Sequence, residues 1–214
     1  MIFILFSCYE PTATFSGQVP SAGDDTIFME RCEQSDPQAK ILKRSVQKQS
    51  CAEAWQVLST IDTLDISHVD ISDLTILSGM TNLKSLSAYD NNITDVSPIA
   101  SLDRMEELYL VSNKIRDISP LLALRQLSVL RLDGNQVESI EILPKLKRLN
   151  RLGLDGNQIR DFTPISKLDD IQSLNTNFNP VDVDKCPIEG PGPKQLHKYC
   201  KRMHKHQKKI SEEK

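Results

Sequence analysis

Residues 105–115 read Met105-Glu106-Glu107-Leu108-Tyr109-Leu110-Val111-Ser112-Asn113-Lys114-Ile115, and this stretch decides the fold. Leu108 and Leu110 alternate with Glu107, Tyr109 and Val111. That period of two belongs to a strand with one apolar side and one outward side. Asn113 and Ile115 follow where such a strand must end. The same frame recurs every 22 residues in both directions. Its first apolar position is Ile61, Leu83, Met105, Leu127, Leu149 and Ile171. The strand positions are Leu64, Leu86, Leu108, Leu130, Leu152 and Leu174, then Ile66, Ala88, Leu110, Leu132, Leu154 and Thr176. Asn91, Asn113, Asn135, Asn157 and Asn179 share one phase, and Val69 breaks that series in the first copy. Self-similarity at a fixed period marks a repeat architecture.

The pattern has physical reasons. Each copy supplies one short strand, and successive copies pair in parallel. An Asn amide both donates and accepts, so it can satisfy backbone groups at a tight turn that has no ladder partner. Val96-Ser97-Pro98-Ile99, Ile118-Ser119-Pro120-Leu121 and Phe162-Thr163-Pro164-Ile165 form the return half of three copies. Proline there suits a 3-10 or extended segment better than a full helix. One copy cannot bury its apolar face alone, so its neighbours supply the core.

The sequence resembles the leucine-rich-repeat family, with the frame L-x-x-L-x-L-x-x-N-x-I across residues 61–182. The 22-residue period and the (Ile/Val)-Ser-Pro-(Ile/Leu) return segment resemble the internalin-like subclass of secreted bacterial proteins. The resemblance implies an α/β solenoid, with a curved parallel sheet on the concave face and 3-10 or extended segments on the convex face. It also implies helical caps at both ends and a non-catalytic protein-binding role. Similar repeats in cytosolic phosphatase-binding proteins leave an alternative open, an intracellular scaffold or phosphatase-type regulatory subunit.

The ends of the array are less regular. Residues 37–60 carry Ile41, Leu42, Val46, Trp55, Val57 and Leu58 at amphipathic-helix spacing and read as an N-terminal cap. Residues 183–214 read as a C-terminal cap and basic tail. All five cysteines lie outside the repeats. Cys32 and Cys51 are expected to bridge at one end, Cys186 and Cys200 at the other. Residues 9–36 are rich in Pro, Gly, Ser and Thr and read as a flexible leader. Residues 1–8, Met1-Ile2-Phe3-Ile4-Leu5-Phe6-Ser7-Cys8, read as a truncated export signal, far too short to span a bilayer. Leu5-Phe6-Ser7-Cys8 resembles a bacterial lipobox and makes Cys8 a candidate for lipidation. These features place the chain in the bacterial cell envelope or outside the cell, with a cytoplasmic location as the alternative. Membrane contact is expected through the lipid alone.

Function is expected on the outward strand positions. Tyr89, Tyr109, Arg131 and Arg151 form the central candidate patch, flanked by Asp133 and Asp155, because Tyr and Arg combine contact area with hydrogen bonding. The expected partner is a protein or cell-surface ligand, met by a monomer. Catalytic serine, zinc-protease, phosphate-binding and dinucleotide-binding motifs are absent from the sequence. No catalytic residue, cofactor or metal site is assigned. Asp133-Gly134-Asn135 and Asp155-Gly156-Asn157 are fragments of a calcium loop but lie at the turn phase, and read as turns. The last 21 residues hold eight Lys or Arg against Glu212 and Glu213, about +6 in a chain of net charge -3. The remainder is therefore about -9. Without interleaved aromatics this tail is not expected to bind nucleic acid, and it reads as frayed and solvated.

Overall fold

The computed structural model describes residues 26–168 and 170–212. Cys8 and the expected export segment lie outside the described residues. Three helices come first: α1 (Thr26–Glu33), α2 (Pro37–Ser45) and α3 (Cys51–Leu58). The Asp36 carboxylate accepts the Gln38 and Ala39 N–H groups and starts α2, with Pro37 in a first-turn position that needs no donor. Ser50 and Glu53 form a reciprocal capping box on α3. Phe28 stacks on Trp55 with ring centroids 5.4 Å apart, and a Cys32–Cys51 disulfide ties α1 to α3. The Arg31 guanidinium reaches Asp36 at 2.9 Å and Thr75 Oγ1 at 2.8 Å, and also meets Asp73. It therefore fastens the helices to the first repeat.

The expected flexible leader ends earlier than the sequence suggests. Residues 26–33 of it are helical, with Phe28 and Cys32 buried in the core. Phe28 and Cys32 are four residues apart and so share one helix face, which packs on α3.

Six three-residue strands follow: β1 (Thr63–Asp65), β2 (Ser85–Ser87), β3 (Glu107–Tyr109), β4 (Val129–Arg131), β5 (Arg151–Gly153) and β6 (Ser173–Asn175). They form one sheet in sequence order, every pair parallel. The register advances by one repeat per strand, so Leu64, Leu86, Leu108, Leu130, Leu152 and Leu174 form a single inward row. The return halves carry 3-10 turns at Leu74–Leu77, Ser97–Ile99, Ser119–Ala123, Leu143–Lys145, Thr163–Lys167 and Val183–Lys185. An aspartate two residues ahead sets several of these turns. Asp117 takes both the N–H and the hydroxyl of Ser119 at 2.8 Å, and Asp95 and Asp161 do the same for Ser97 and Thr163. The chain is thus a solenoid with aliphatic layers between the sheet and the turns.

The asparagines stitch each copy to the one before it. Asn135 Oδ1 accepts the Ile115 N–H at 3.0 Å, and its Nδ2 donates to the Leu110 carbonyl at 2.8 Å. Nδ2 also donates to Leu132 within its own copy. Asn91, Asn113, Asn157 and Asn179 repeat the arrangement toward Ile71, Ile93, Val137 and Ile159. All five amides are buried. Because every rung points toward the N-terminus, the first copy has no repeat to serve. Val69 occupies that phase and packs against the core instead.

The far end is closed by α4 (Lys194–Glu212). Leu196, Tyr199 and Cys200 are buried, Phe162 meets Tyr199 edge-on at 5.9 Å, and a Cys186–Cys200 disulfide pins the helix. The basic tail, expected to fray, is helical to Glu212. Lys, Gln and Arg are strong helix formers, and the packed first turns supply the nucleus from which the rest propagates. Among the described residues no helix is long and apolar enough to cross a membrane.

Candidate interaction surface

The outward side of the sheet carries three parallel rows. One runs Thr63, Ser85, Glu107, Val129, Arg151, Ser173, and the next runs Asp65, Ser87, Tyr109, Arg131, Gly153, Asn175. The third lies two residues further on and holds Ser67, Tyr89, Val111, Asp133, Asp155 and Asn177. The middle copies place the bulkiest of these side chains together. Tyr89 and Tyr109 lie with ring centroids 5.9 Å apart, tilted at 38°. The Tyr109 hydroxyl donates to Glu107 at 3.1 Å. Burial pushes both phenols above their ordinary pKa, and the Glu107 carboxylate adds to the effect at Tyr109. Both hydroxyls therefore remain donors at neutral pH.

Arg131 lies beside this pair. Its Nε donates to Asp133 at 2.8 Å, and that bond holds the guanidinium still more firmly in its charged form. The pair leans over Gly153, the residue facing Arg131 in the register. A methyl group at Gly153 would overlap both Asp133 and the Arg131 side chain. Absence of a side chain at Gly153 is what lets the Arg131–Asp133 pair lie flat across the next strand. Arg151 is exposed, and close enough to Tyr109 to act on its phenol electrostatically.

The two flanking aspartates have structural duties as well. Asp133 Oδ1 accepts the Asp155 N–H at 3.2 Å, and Asp155 Oδ1 accepts the Asn177 N–H at 2.6 Å. Ser67 does the same for the Tyr89 N–H at 3.1 Å. These side chains extend the pairing of copies beyond the end of the strands. Asp133 is consequently only 13% exposed at its side chain.

Two outward residues outside the sequence-derived patch, Glu107 and Gly153, matter to it, and a third, Phe178, stands apart. Glu107 orients Tyr109, and its signal was its place two residues ahead on the same strand side. Gly153 makes room for Arg131, and a glycine among outward strand positions was the signal. Phe178 is 86% exposed with φ of 59°. It occupies the turn phase that Gly134 and Gly156 fill at φ of 69° and 64°. A bulky residue rarely takes that conformation, and its place 22 residues after Gly156 in the repeat frame was the signal. Val129, an outward position, is 5% exposed and sits between Glu107 and Arg151 in the register. Gly134 and Gly156 are turn residues, and among the described residues no group of three His, Cys, Asp or Glu is placed to hold a metal.

Comparison with known proteins agrees with this geometry. The leucine-rich-repeat family (two-copy form) matches residues 81–123 and 103–145. An internalin from Listeria monocytogenes is 33% identical across 60% of this chain and 38% of its own, with a TM-score of 0.58. Residues 81–145 are thus similar to the leucine-rich-repeat family, and the solenoid is similar to that of an internalin. A leucine-rich-repeat protein of Leptospira interrogans is 27% identical over 61% of this chain and 35% of its own, with a TM-score of 0.56. The ectodomain of the Arabidopsis thaliana membrane receptor kinase GASSHO1/SCHENGEN3, solved in complex with CASPARIAN STRIP INTEGRITY FACTOR 2, is 25% identical. That match covers 58% of this chain and 16% of the receptor, with a TM-score of 0.53. This leucine-rich-repeat chain thus spans less than two fifths of the length of each of these structures. No curated protein matches the sequence.

Proposed function

We propose that this leucine-rich-repeat chain is an exported, non-catalytic module that binds a protein or cell-surface ligand on the outward face of its sheet. The observation that carries the reading is the cluster of Tyr89 and Tyr109 in ring contact beside Arg131, which Asp133 holds over Gly153. A side chain already held in place loses little freedom on binding, so its contacts are realised as affinity. Asp133 holds Arg131, Arg151 extends the cationic side of the patch, and Asp155 marks its far edge. Phe178 adds an exposed aromatic at the last turn. Export is supported by the two disulfides, which persist in oxidising compartments. Lipid attachment at Cys8 belongs to the same proposal and is tested by palmitate labelling of the producing cells.

The binding claim is tested by pull-down with the disulfide-intact chain, compared with Tyr89→Ala/Tyr109→Ala and with a turn-side control, Arg116→Ala. Partner recovery is expected to fall in the double variant and hold in the control. Equal recovery with all three would remove the patch from the account.

A further inference from the structure

We infer that α4 is a docking rod for a linear polyanionic polysaccharide, of the sulfated glycosaminoglycan type. The helix has two unlike faces. Leu196, Tyr199, Cys200 and Met203 recur at three- and four-residue steps and face the last repeat. Lys194, Lys198, Lys201, Arg202, Lys205, Lys208 and Lys209 fall on the opposite side, within an arc of about 120° at 3.6 residues per turn. All seven are exposed. The row runs for about 22 Å along the axis at 1.5 Å per residue. From Lys194 to Ser211 the chain contains no acidic residue.

Folding does not account for the run of Lys194, Lys198, Lys201, Arg202 and Lys205. Like charges three and four residues apart destabilise a helix, and here they are stacked throughout its length. The helix dipole favours cations at the C-terminal end, yet Lys194 and Lys198 sit in the first turns. The long side chains also enclose open depressions. One, of about 520 Å³, is lined by Lys194, His197, Lys198, Lys201, Arg202 and Lys205. The next, of about 620 Å³, continues it past Arg202 and Lys205 to Lys209.

Charge complementarity selects an anion, and the row selects an extended one. Three features choose among extended anions. The apolar face that an interfacial helix would insert into lipid is already spent on the last repeat. The helix's aromatic residue, Tyr199, is buried and cannot stack on a base. Lysine outnumbers arginine six to one in the row, which suits charge pairing along a flexible polymer better than bidentate reading of phosphates.

The test uses heparin as the probe and the full disulfide-bonded chain in about 0.15 M salt, with titration calorimetry as the readout. Binding is expected, weakening steeply as salt rises because each neutralised charge releases a counterion. Lys198→Gln/Lys201→Gln/Lys205→Gln is expected to bind roughly tenfold more weakly or worse, since the salt-dependent term scales with the cations engaged. Unchanged far-ultraviolet circular dichroism verifies that the variant folds. A control triple, Lys114→Gln/Lys145→Gln/Lys147→Gln, is expected to bind like the parent. Failure of the parent to bind heparin overturns the assignment, as does equal loss in the control. Tighter binding to duplex DNA or to phosphatidylserine vesicles than to heparin overturns it in favour of that partner. None of these outcomes depends on the sheet-face patch, which shares no residue with α4.

Discussion

The repeat array and its two ends are held by different physics. Inside the array, every buried amide of the ladder is paired with groups that the preceding copy supplies at the same place. Stability there is a nearest-neighbour property. At the ends there is no further copy to supply those groups, and single contacts take over. The N-terminal cap relies on Phe28 against Trp55, the Cys32–Cys51 bridge and the Arg31 fork. The C-terminal cap relies on Phe162 against Tyr199 and the Cys186–Cys200 bridge. Pairing is also less complete at the ends. Among the described residues, the buried side-chain donor left without a partner is Trp55 Nε1, in the cap. Periodic order satisfies polar groups by repetition, whereas a cap must do so residue by residue.

The sharpest break of this contrast is Asn135→Ala. It leaves the buried Ile115 N–H without its partner and removes one of two donors from each of the Leu110 and Leu132 carbonyls, which keep Asn113 and Asn157. An orphaned buried donor costs about 1–3 kcal/mol and each lost carbonyl bond about 1 kcal/mol, so a loss of about 4 kcal/mol is expected in urea unfolding. Val69→Asn serves as the counterpart, because no preceding copy exists for a rung there. It is expected to gain nothing.

Cys186→Ser/Cys200→Ser comes second. The bridge closes a sequence separation of 14 residues, for which chain-entropy arguments give roughly 3 kcal/mol. The loss is expected to show first as faster amide exchange in α4, with the middle strands little affected. Uniform loss of protection across β1 to β6 would contradict the separation of array from end.

Gly153→Ala is expected to cost about 1 kcal/mol by crowding. Its larger effect is expected on partner affinity, since the Arg131–Asp133 pair must move off the strand. Calorimetric titration of the recovered partner measures that change.

Acid gives the smallest effect. The Asp117 carboxylate is held below its ordinary pKa by the N–H and hydroxyl of Ser119. At Asp36 and Asp73 burial pushes the pKa up, but backbone donors and Arg31 outweigh it and the net shift is downward. A depressed folded pKa stabilises the fold above the unfolded value of about 3.9 and loses that contribution as pH falls through the folded value. Thermal midpoints are therefore expected to stay level from neutral pH to about pH 5 and to decline below about pH 4. Asp117→Asn is expected to shallow that decline slightly.

What the sequence revealed follows the same division. The repeats were legible because each residue type recurs at one phase, so Leu108 and Asn113 are read together with their equivalents in neighbouring copies. The direction of the ladder was not legible, since the one-dimensional pattern does not say which neighbour an amide serves. Val69 looked like a defect for that reason. Helix α1 was hidden because its apolar residues are few and follow a stretch rich in turn formers; its partner, Trp55, lies far along the chain. On the sheet face, alternation gave the outward rows containing Tyr89, Tyr109, Arg131 and Arg151. It could not give the backbone duties of Asp133 and Asp155, which depend on side chains reaching the next copy. Nor could it give the need for Gly153, which appears once Arg131 and Asp133 are placed above it.

The functional account rests on the sheet face being where a partner docks, and hydrogen exchange of the disulfide-intact chain with and without the recovered partner tests this most directly. Added protection is expected in residues 85–90, 107–112, 129–134 and 151–156, with little change in the turns around Ser97–Ile99 and Ser119–Ala123. A footprint confined to those turns, or to the caps with the strands unchanged, would contradict the account.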